Sequence, residues 1–265
     1  MSNKQPPISA NELVLDLLET HNAHELSVAA LCRAAGVFLL TEQSVRVALS
    51  RLVRQGKVSK TGRGQYALNP AGSSLFRDVE NWLRKEQRAV AWEGGWVGVF
   101  DGAVPRRNRV AWRRHCRALD LRGLRSLSSG LQLRPDNLAG GVASLRGDLE
   151  GLGLAPGAVV LGVDQLAAAD EDAVRHLWDG AALRRDYREM LSWLERSGSR
   201  LEGMSQDQAA AETLMVGRAV IRGIIRDPLL PDALVSGEDR RELIARMRDY
   251  QDRAKVIWMR VLEGE

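Results

Sequence analysis

The sequence predicts an α+β protein made of several domains, and three observations indicate this class. The N-terminal third combines capped amphipathic helices with a short basic hairpin, the middle alternates short strands with helices, and the C-terminal part shows only helical periodicity. A chain of 265 residues with 45% apolar residues is long enough for two or three ordinary hydrophobic cores. We therefore expect domains at residues 1–93, 94–168 and 169–265.

Three helix starts in the N-terminal region can be placed from their capping residues. Ser9 and Glu12 have the spacing of a capping box, and Ser27 and Thr41 can accept from free N–H groups at two further helix starts. The helix after Thr41 has apolar residues at intervals of three and four, which predicts one buried face, and Gly56 predicts a left-handed stop. The apolar residues of that face are Val45, Ala48, Leu49 and Leu52.

A basic hairpin follows the third helix. Residues 58–60 and 65–68 have strand-like composition on either side of a Gly-Arg-Gly turn, which places Arg63 at the tip. The helix and the hairpin together carry six basic residues and one acid, Glu42. Helix, helix–turn–helix and two-stranded wing is the order of a winged-helix domain, whose recognition helix enters the major groove of DNA. The expected DNA-binding residues are Gln43, Ser44, Arg46, Val47, Ser50, Arg51, Arg54, Lys57, Lys60 and Arg63.

Two simpler interpretations of this region compete with DNA binding. An arginine-rich amphipathic helix is often only a solvated surface, and a Gly-Arg-Gly turn is often only a turn. A winged helix can also contact protein, which would make the chain a partner-binding adaptor. The order of the elements favours double-stranded DNA as the partner.

The middle of the chain has the alternation of an antiparallel sheet combined with helices. After Glu93-Gly94-Gly95, strand-like and helical segments follow the order β-α-β-β-α-β, which is that of the ferredoxin-like fold. The predicted strands are residues 96–100, 124–127, 131–133 and 158–163. The first predicted helix covers residues 105–119, and Asp136 or Asn137 is expected to cap the second.

The remaining segments are predicted to be helical. Ser236 and Asp239 have capping spacing before the last helix, whose apolar residues form a regular seam that fits either an internal core or a dimer interface. The predicted helices are a linker helix at 70–87 and long helices at 170–196, 205–226 and 238–261.

Basic and acidic residues are separated along the chain. Residues 1–135 carry a formal charge of +10 and residues 136–265 one of −6, which favours a polyanion as partner of the N-terminal half. No apolar run is long enough to cross a membrane and the polar start does not have the pattern of a signal peptide, so we expect a cytoplasmic protein without a membrane partner. Two distant cysteines, Cys32 and Cys116, do not support a disulfide framework or a zinc site, and no nucleotide-binding motif predicts a cofactor.

Four segments carry a resemblance to a known family. They are Ser44–Leu52, Gly123–Leu131, Arg134–Leu138 and Arg226–Pro231, which read SVRVALSRL, GLRSLSSGL, RPDNL and RDPLLP. In these segments, and over nearly its whole length, the chain resembles the PaaX-type transcriptional repressors, regulators of phenylacetic acid catabolism. The resemblance implies an N-terminal winged helix, a central ferredoxin-like domain of the Cas2-like type and a C-terminal all-helical domain.

The resemblance also implies a function. It implies a homodimer that represses a catabolic operon and leaves the operator when a pathway metabolite binds, in the named branch phenylacetyl-CoA. Carried over by position, Ser44, Arg46, Ser50 and Arg51 would face the DNA. The chain departs from the family pattern around Ser236-Gly237-Glu238, which leaves the identity of the effector open.

The basic helix predicted at 105–119 contains six arginines and has three interpretations. Its cations could bind the phosphates of a coenzyme A effector, could contact DNA beside the operator, or could form a solvated face paired with acids of the C-terminal domain. For the first interpretation, the candidate effector-binding residues are Arg106, Arg107, Trp112 and Arg113.

One enzymatic alternative comes from the central domain. Asp101 ends its first predicted strand, and a Cas2-like fold can hold a metal ion at that place, which would give a metal-dependent nuclease. A single carboxylate is a poor metal site, and Asp101 could simply cap the loop towards Pro105. His115 and Cys116 are adjacent on a predicted helix, so their side chains diverge. We therefore predict a repressor with no metal site and no catalytic residues.

Overall fold

The computed structural model describes residues 8–21, 24–69 and 82–264, which form two compact units. The first unit contains residues 1–80, 192–221 and 246–265, and the second contains residues 81–191 and 222–245. The protein has the predicted α+β class, with N-terminal helices and a small antiparallel sheet, a central four-stranded antiparallel sheet and long C-terminal helices. Within the described ranges, no helix is both long enough and apolar enough to cross a membrane.

The N-terminal part of the first unit contains three short helices with the predicted caps. They are α1 at Ala10–Thr20, α2 at Val28–Gly36 and α3 at Glu42–Arg54. At α1 the Glu12 N–H donates to the Ser9 hydroxyl at 3.3 Å, and the Ser9 N–H donates to the Glu12 carboxylate at 3.1 Å. At α2 the Ser27 hydroxyl accepts from the Ala30 N–H at 3.1 Å. These local signals predicted the three helix starts correctly.

A three-stranded antiparallel sheet accompanies these helices. The predicted hairpin is present as β2 at Val58–Gly62 and β3 at Gln65–Leu68. The sequence did not predict the third strand, β1 at Glu25–Ser27, which pairs with β3 and gives the order β1-β3-β2. With three residues, β1 is too short for an alternating apolar pattern to stand out.

The hydrophobic core of the first unit joins residues from both ends of the chain. Side chains of α1, α2, α3 and the small sheet pack with residues of two C-terminal helices, α8 at Gln206–Arg226 and α9 at Glu238–Glu263. The contributions of these helices include Ala210, Leu214, Trp258 and Val261. The rings of Phe38 and Trp258 stack with centroids 6.4 Å apart. Burying these side chains is the main source of the unit's stability.

The second unit is built on a four-stranded sheet. Its strands are β4 at Trp96–Phe100, β5 at Arg125–Ser128, β6 at Leu131–Pro135 and β7 at Val159–Val163. The order is β5-β6-β4-β7, and every neighbouring pair is antiparallel. Helix α4 at Arg109–Leu121 follows β4, and helix α5 at Gly141–Leu152 follows β6. The predicted order of strands and helices is therefore present.

Helices α4 and α5 both begin later than the sequence predicted. The helix expected from Pro105 begins at Arg109, because the Asn108 side chain accepts from the N–H groups of Val110 and Ala111, each at 3.1 Å. The helix expected after Asp136 or Asn137 begins at Gly141. Asn137 cannot cap it, because its amide is buried and donates to a distant backbone carbonyl.

The C-terminal helices differ from the prediction in two places. The sequence predicted a single helix at 170–196, but the structure has two helices there, α6 at Ala168–Arg175 and α7 at Gly180–Gly198. A new helix starts after Asp179, because its carboxylate accepts from the Ala182 N–H at 2.8 Å. The Ser236 hydroxyl accepts from the Glu238 N–H at 3.4 Å, but Asp239 pairs with Arg188 instead of completing a capping box.

Residues 70–81 of the predicted linker helix lie outside the described residues, and its end is a 3-10 helix at Trp82–Arg88.

Two of the segments that carry the family resemblance contact each other in the second unit. The Asn137 amide donates to the Leu229 carbonyl at 2.8 Å and accepts from the buried Arg134 guanidinium at 2.9 Å. Burial and the nearby charges of Arg88 and Arg122 lower the pKa of Arg134 to about 9. The RPDNL and RDPLLP segments therefore have a structural role, since one holds the backbone of the other.

Three tryptophans of the second unit, Trp92, Trp96 and Trp178, pack together in its core. Trp96 and Trp178 are buried and stack with their rings nearly parallel and their centroids 6.3 Å apart, and Trp92 meets Trp96 edge-on. The Trp96 indole N–H donates to Glu171 of α6 at 3.0 Å. The Trp178 N–H donates to the Gly123 carbonyl at 3.1 Å. These contacts fix α6 and the segment after it against one another and against the sheet.

Candidate nucleic-acid interface

Helix α3 of the first unit is fixed at both ends. Thr41 is extended, its hydroxyl accepts from the Ser44 N–H at 3.2 Å, and the Ser44 hydroxyl donates back to the Thr41 carbonyl at 2.6 Å. At the other end Gly56 has the predicted left-handed conformation with φ of +68°, and the Lys57 N–H donates to the Leu52 carbonyl at 3.0 Å. Rigid ends are what a helix needs to present side chains in a fixed direction.

The two faces of α3 differ sharply in character. The four predicted apolar residues are each at most 3% exposed. At about 100° per residue, the opposite face is centred on Gln43, Val47, Ser50 and Arg54, with Arg46 and Arg51 at its two edges. All six of these residues are exposed. The centre therefore offers groups that can meet base edges, and each edge offers a cation.

The arginines of α3 are not neutralised to the same degree. Arg46 lies 3.6 Å from Glu42, one helical turn away, and both side chains are more than half exposed. Such a pair contributes little and breaks easily. Arg51 and Arg54 have no carboxylate partner among the described residues. The Glu42–Arg46 pair was not predicted from the sequence, although its spacing of four residues is the signal that indicates it.

The wing is anchored behind its tip. The Val28 N–H, at the start of α2, donates to the Gly64 carbonyl at 2.8 Å. The Thr61 hydroxyl donates to Glu25 of β1 at 2.6 Å. Arg63 lies in the turn between these two anchors and is exposed, and Lys60 is exposed on β2. The cation at the tip is thus held at a defined position relative to α2 and the sheet.

One predicted contact, Lys57, lies in a different environment. It is half-buried and interacts electrostatically with Glu19 of α1. Burial and the nearby charge of Asp16 raise the pKa of Glu19 to about 7, against the opposing charges of Arg218 and Lys57. A phosphate would therefore compete with Glu19 for the Lys57 ammonium group.

The structure thus places the predicted DNA-binding residues in three groups. Gln43, Arg46, Val47, Ser50, Arg51 and Arg54 share the exposed face of α3, and Lys60 and Arg63 lie on the wing. Ser44 and Lys57 are half-buried and take part in contacts inside the unit. The turn between α2 and α3 adds Leu39, which is 93% exposed at a φ of +56°. No polar turn residue marks this position in the sequence, so it was not singled out.

The predicted effector residues lie at the start of α4 in the second unit. The Arg106 guanidinium carbon lies 4.6 Å from the centroid of the Trp112 ring. The same ring contacts the imidazole of His115, with centroids 4.9 Å apart. Arg107 and Arg113 are exposed. The Trp112 ring is therefore in contact with two neighbours of its own chain, one a cation and one an imidazole.

Asp101, the residue of the enzymatic alternative, is buried beside α4. Its carboxylate accepts from the His115 Nε2 at 3.0 Å, and the His115 Nδ1 accepts from the Ala155 N–H at 3.1 Å, so the two ring nitrogens have different roles. The other Asp101 oxygen is buried and has no hydrogen-bond partner among the described atoms. The described residues contain no group of three or more metal-ligating side chains around it or elsewhere. As predicted, His115 and Cys116 diverge, since one is buried and the other exposed.

Comparison with known proteins establishes the fold and does not name a family. The chain matches no protein-family model and no curated protein. Among solved structures it is similar to the uncharacterized protein Rv0674 from Mycobacterium tuberculosis, with 21% sequence identity and a TM-score of 0.63. The similarity covers 96% of this chain and 98% of that chain. The two proteins therefore share a fold over nearly their whole length.

Proposed function

We propose that this protein is a sequence-specific DNA-binding transcriptional repressor of the PaaX type, which acts on double-stranded operator DNA. The observation that carries the proposal is the exposed face of α3, polar at its centre and cationic at its edges, beside a basic hairpin anchored to α2. The major groove of DNA admits one α-helix and offers hydrogen-bonding groups that distinguish all four base pairs. The hairpin tip suits the neighbouring phosphates.

Within this proposal the basic residues divide by task. Arg46 and Arg51 flank the centre of the α3 face, where either could pair bidentately with guanine. Lys60 and Arg63 lie on the wing, where phosphates are the nearer partners. The small sheet and the three helices are what a winged-helix domain requires, and their described arrangement supports this reading of residues 1–93.

The second unit supports the remainder of the resemblance. Its first strand, β4, lies between β6 and β7, and this sheet order with two helices is that of a ferredoxin-like domain. We propose that residues 94–168 form the Cas2-like domain and that residues 169–265 form a helical domain. A repressor of this type acts as a homodimer, because two recognition helices related by a two-fold axis match an operator with two half-sites.

The proposed effector is an aromatic acyl-CoA, which weakens operator binding by favouring a second state of the dimer. A coupling free energy of about 1–3 kcal/mol between the two sites is sufficient for such release. Arg106, Arg107, Trp112 and Arg113 are one candidate location for this effector, and a DNA contact by the same helix is the competing assignment.

A selection experiment tests the proposal without knowledge of the operator. Duplexes enriched from a randomised library by the full-length protein would be compared with random duplexes by fluorescence anisotropy, with and without a panel of acyl-CoA thioesters. We expect a defined motif with two half-sites, bound at least about 1,000-fold more tightly than random DNA. Arg51→Ala should reduce this preference. Arg200→Ala is the matched control, because Arg200 is an exposed arginine of the same unit that pairs with Glu212.

Three outcomes would contradict the proposal. Enrichment of no motif would remove sequence-specific recognition, and equal effects of the two variants would remove α3 as the reading element. Cutting of the duplex that requires a divalent ion would favour the nuclease instead. Release by a free acid or a sugar, with no effect of any thioester, would refute only the effector class.

A further inference from the structure

We propose that α4 carries a second DNA-binding surface, separate from the winged helix, that contacts the phosphate backbone. We call it the α4 stripe and define it as Arg109, Arg113 and Arg117. The identity of the polyanion as DNA rests on the proposed function, whereas the surface itself follows from the second unit alone.

The spacing of the α4 stripe is that of a straight row. Its three arginines are four residues apart and all are exposed, so they lie along one side of the helix. At about 1.5 Å per residue, successive guanidinium groups start roughly 6 Å apart along the axis. This is close to twice the axial spacing of about 3.4 Å between phosphates on one DNA strand. A row of cations with this period can follow a nucleic-acid backbone.

The cations of the α4 stripe are not neutralised by any carboxylate in the described part of the chain. Among the described residues, none of the three has a carboxylate partner, and Asp120 at the end of the same helix pairs with Arg125 at 2.8 Å. Other exposed arginines of the second unit do have acidic partners. Examples are Arg175 with Glu171, Arg188 with Asp239 and Arg241 with Asp232. The solvated, acid-paired face that is the simpler interpretation of a basic helix is thus found elsewhere in the unit and not on α4.

Two other arginines of the helix region, Arg106 and Arg114, contact groups within the second unit, which separates them from the stripe. The Arg114 guanidinium donates to the Leu152 carbonyl at the end of α5 at 3.2 Å. The Arg106 guanidinium lies over the Trp112 ring, and the same ring also contacts the imidazole of His115. This leaves the stripe as a linear, exposed surface on one helix, and the Trp112 ring on the same helix is already in contact with Arg106 and His115. A straight row on a helix suits an extended polyanion better than a compact acyl-CoA.

The test measures how the affinity for random duplex DNA depends on salt. Each phosphate contact contributes about 0.9 to the slope of log affinity against log salt, so losing three contacts should lower the slope by roughly 2.7. By the same relation, each lost contact lowers the DNA affinity about fivefold at 0.15 M salt, relative to its effect at 1 M salt. The loss of all three contacts therefore lowers the affinity on the order of 100-fold. The variant is the full-length protein with Arg109→Gln, Arg113→Gln and Arg117→Gln.

A matched control removes the same charge from other exposed arginines of the same unit. Arg175→Gln, Arg188→Gln and Arg241→Gln change three acid-paired arginines, so they test the effect of net charge without the stripe. We expect the stripe variant to lose most of the predicted slope and the control variant to keep a slope close to that of the unchanged protein. Thermal unfolding of both variants checks that each retains its fold.

The results distinguish this proposal from the proposed function. An unchanged slope in the stripe variant, or an equal fall in the control variant, would overturn the proposal. If Arg51→Ala reduces the preference for the selected motif over random DNA in the selection experiment, the repressor function stands in either case. Loss of binding to phenylacetyl-CoA in the stripe variant, with its DNA slope unchanged, would assign the stripe to the effector instead. Absence of any DNA binding by the unchanged protein would overturn both proposals.

Discussion

Replacing Glu19 by Gln should stabilise the first unit at neutral and alkaline pH and have little effect in acid. Glu19 of α1 is largely buried, and burial together with the charge of Asp16 raises its pKa to about 7 from an ordinary 4.5. The acid is therefore protonated in the folded protein and ionised in the unfolded chain between these two values. This group contributes stability below about pH 4.5, and the contribution is lost as the pH rises towards 7.

The expected magnitude follows from the difference between these pKa values. A difference of this size corresponds to about 3 kcal/mol at pH 8, at roughly 1.4 kcal/mol per pKa unit. Because Glu19 keeps some contact with water and interacts with Arg218 and Lys57, we expect Glu19→Gln to raise the free energy of unfolding by about 1–3 kcal/mol at pH 8. At pH 4.5 the difference between the two proteins should fall to a few tenths of a kcal/mol.

Urea unfolding followed by circular dichroism at pH 4.5, 6 and 8 measures this difference. Glu12→Gln is the matched control, because it lies on the same helix and has the opposite shift. Partial burial alone would raise the pKa of Glu12, but hydrogen bonds from Ser9 and the charge of Arg218 lower this pKa to about 2. Its stabilising contribution is present above about pH 4.5 and is lost as the pH falls towards 2, so this variant should be destabilised at pH 8.

The reasoning would be refuted by a stability gain of Glu19→Gln that is the same at all three pH values. Such a result would show that the amide packs better and that titration has no part in the effect. A loss of stability at pH 8 would show that the attraction of Arg218 and Lys57 outweighs burial.

Three further predictions concern single contacts. Arg51→Ala should cost about 1–3 kcal/mol of operator binding and relax the preference at one base pair. Arg63→Ala should weaken the binding of operator and random DNA alike, and lower the slope of log affinity against log salt by about one. Affinities measured at several salt concentrations distinguish the two variants. His115→Ala should lower the free energy of unfolding by about 3–5 kcal/mol in urea, because the buried Asp101 carboxylate loses its donor, and Asp101→Asn in the same chain should recover part of this loss. Lys85→Met should cost at least about 2 kcal/mol in the same assay, because the Lys85 ammonium group donates to three carbonyls at the end of α8.

Features set by neighbouring residues were predictable from the sequence. The caps at Ser9, Ser27 and Thr41, the stop at Gly56 and the turn at Arg63 each depend on residues within a few positions. The same holds for the four-stranded sheet, since alternating strands and helices leave few arrangements of neighbouring elements. The exposed face of α3 followed directly from its buried stripe.

Features decided by distant residues were not predictable. Asn137 has the composition of a helix cap, but Arg134 and the Leu229 carbonyl engage its amide, so α5 begins at Gly141. The pairing of β1 with β3 gives a three-residue segment a strand conformation that its own sequence does not demand. Likewise, the α4 stripe has no acidic partner among residues 8–21, 24–69 and 82–264, which is a property of the fold and not of the helix sequence.

The composition of the first unit's core has a consequence for how the protein becomes active during synthesis. Trp258 and Val261 pack with Leu13, Leu18 and Leu49, yet almost the whole chain separates the two groups in sequence. When the ribosome has completed α3, the residues of α9 that complete the core beneath it have therefore not yet been made. We expect the N-terminal helices to remain incompletely packed until α9 emerges. A truncated chain would then lack a firmly held α3, and under the proposed function it would bind DNA more weakly than complete copies.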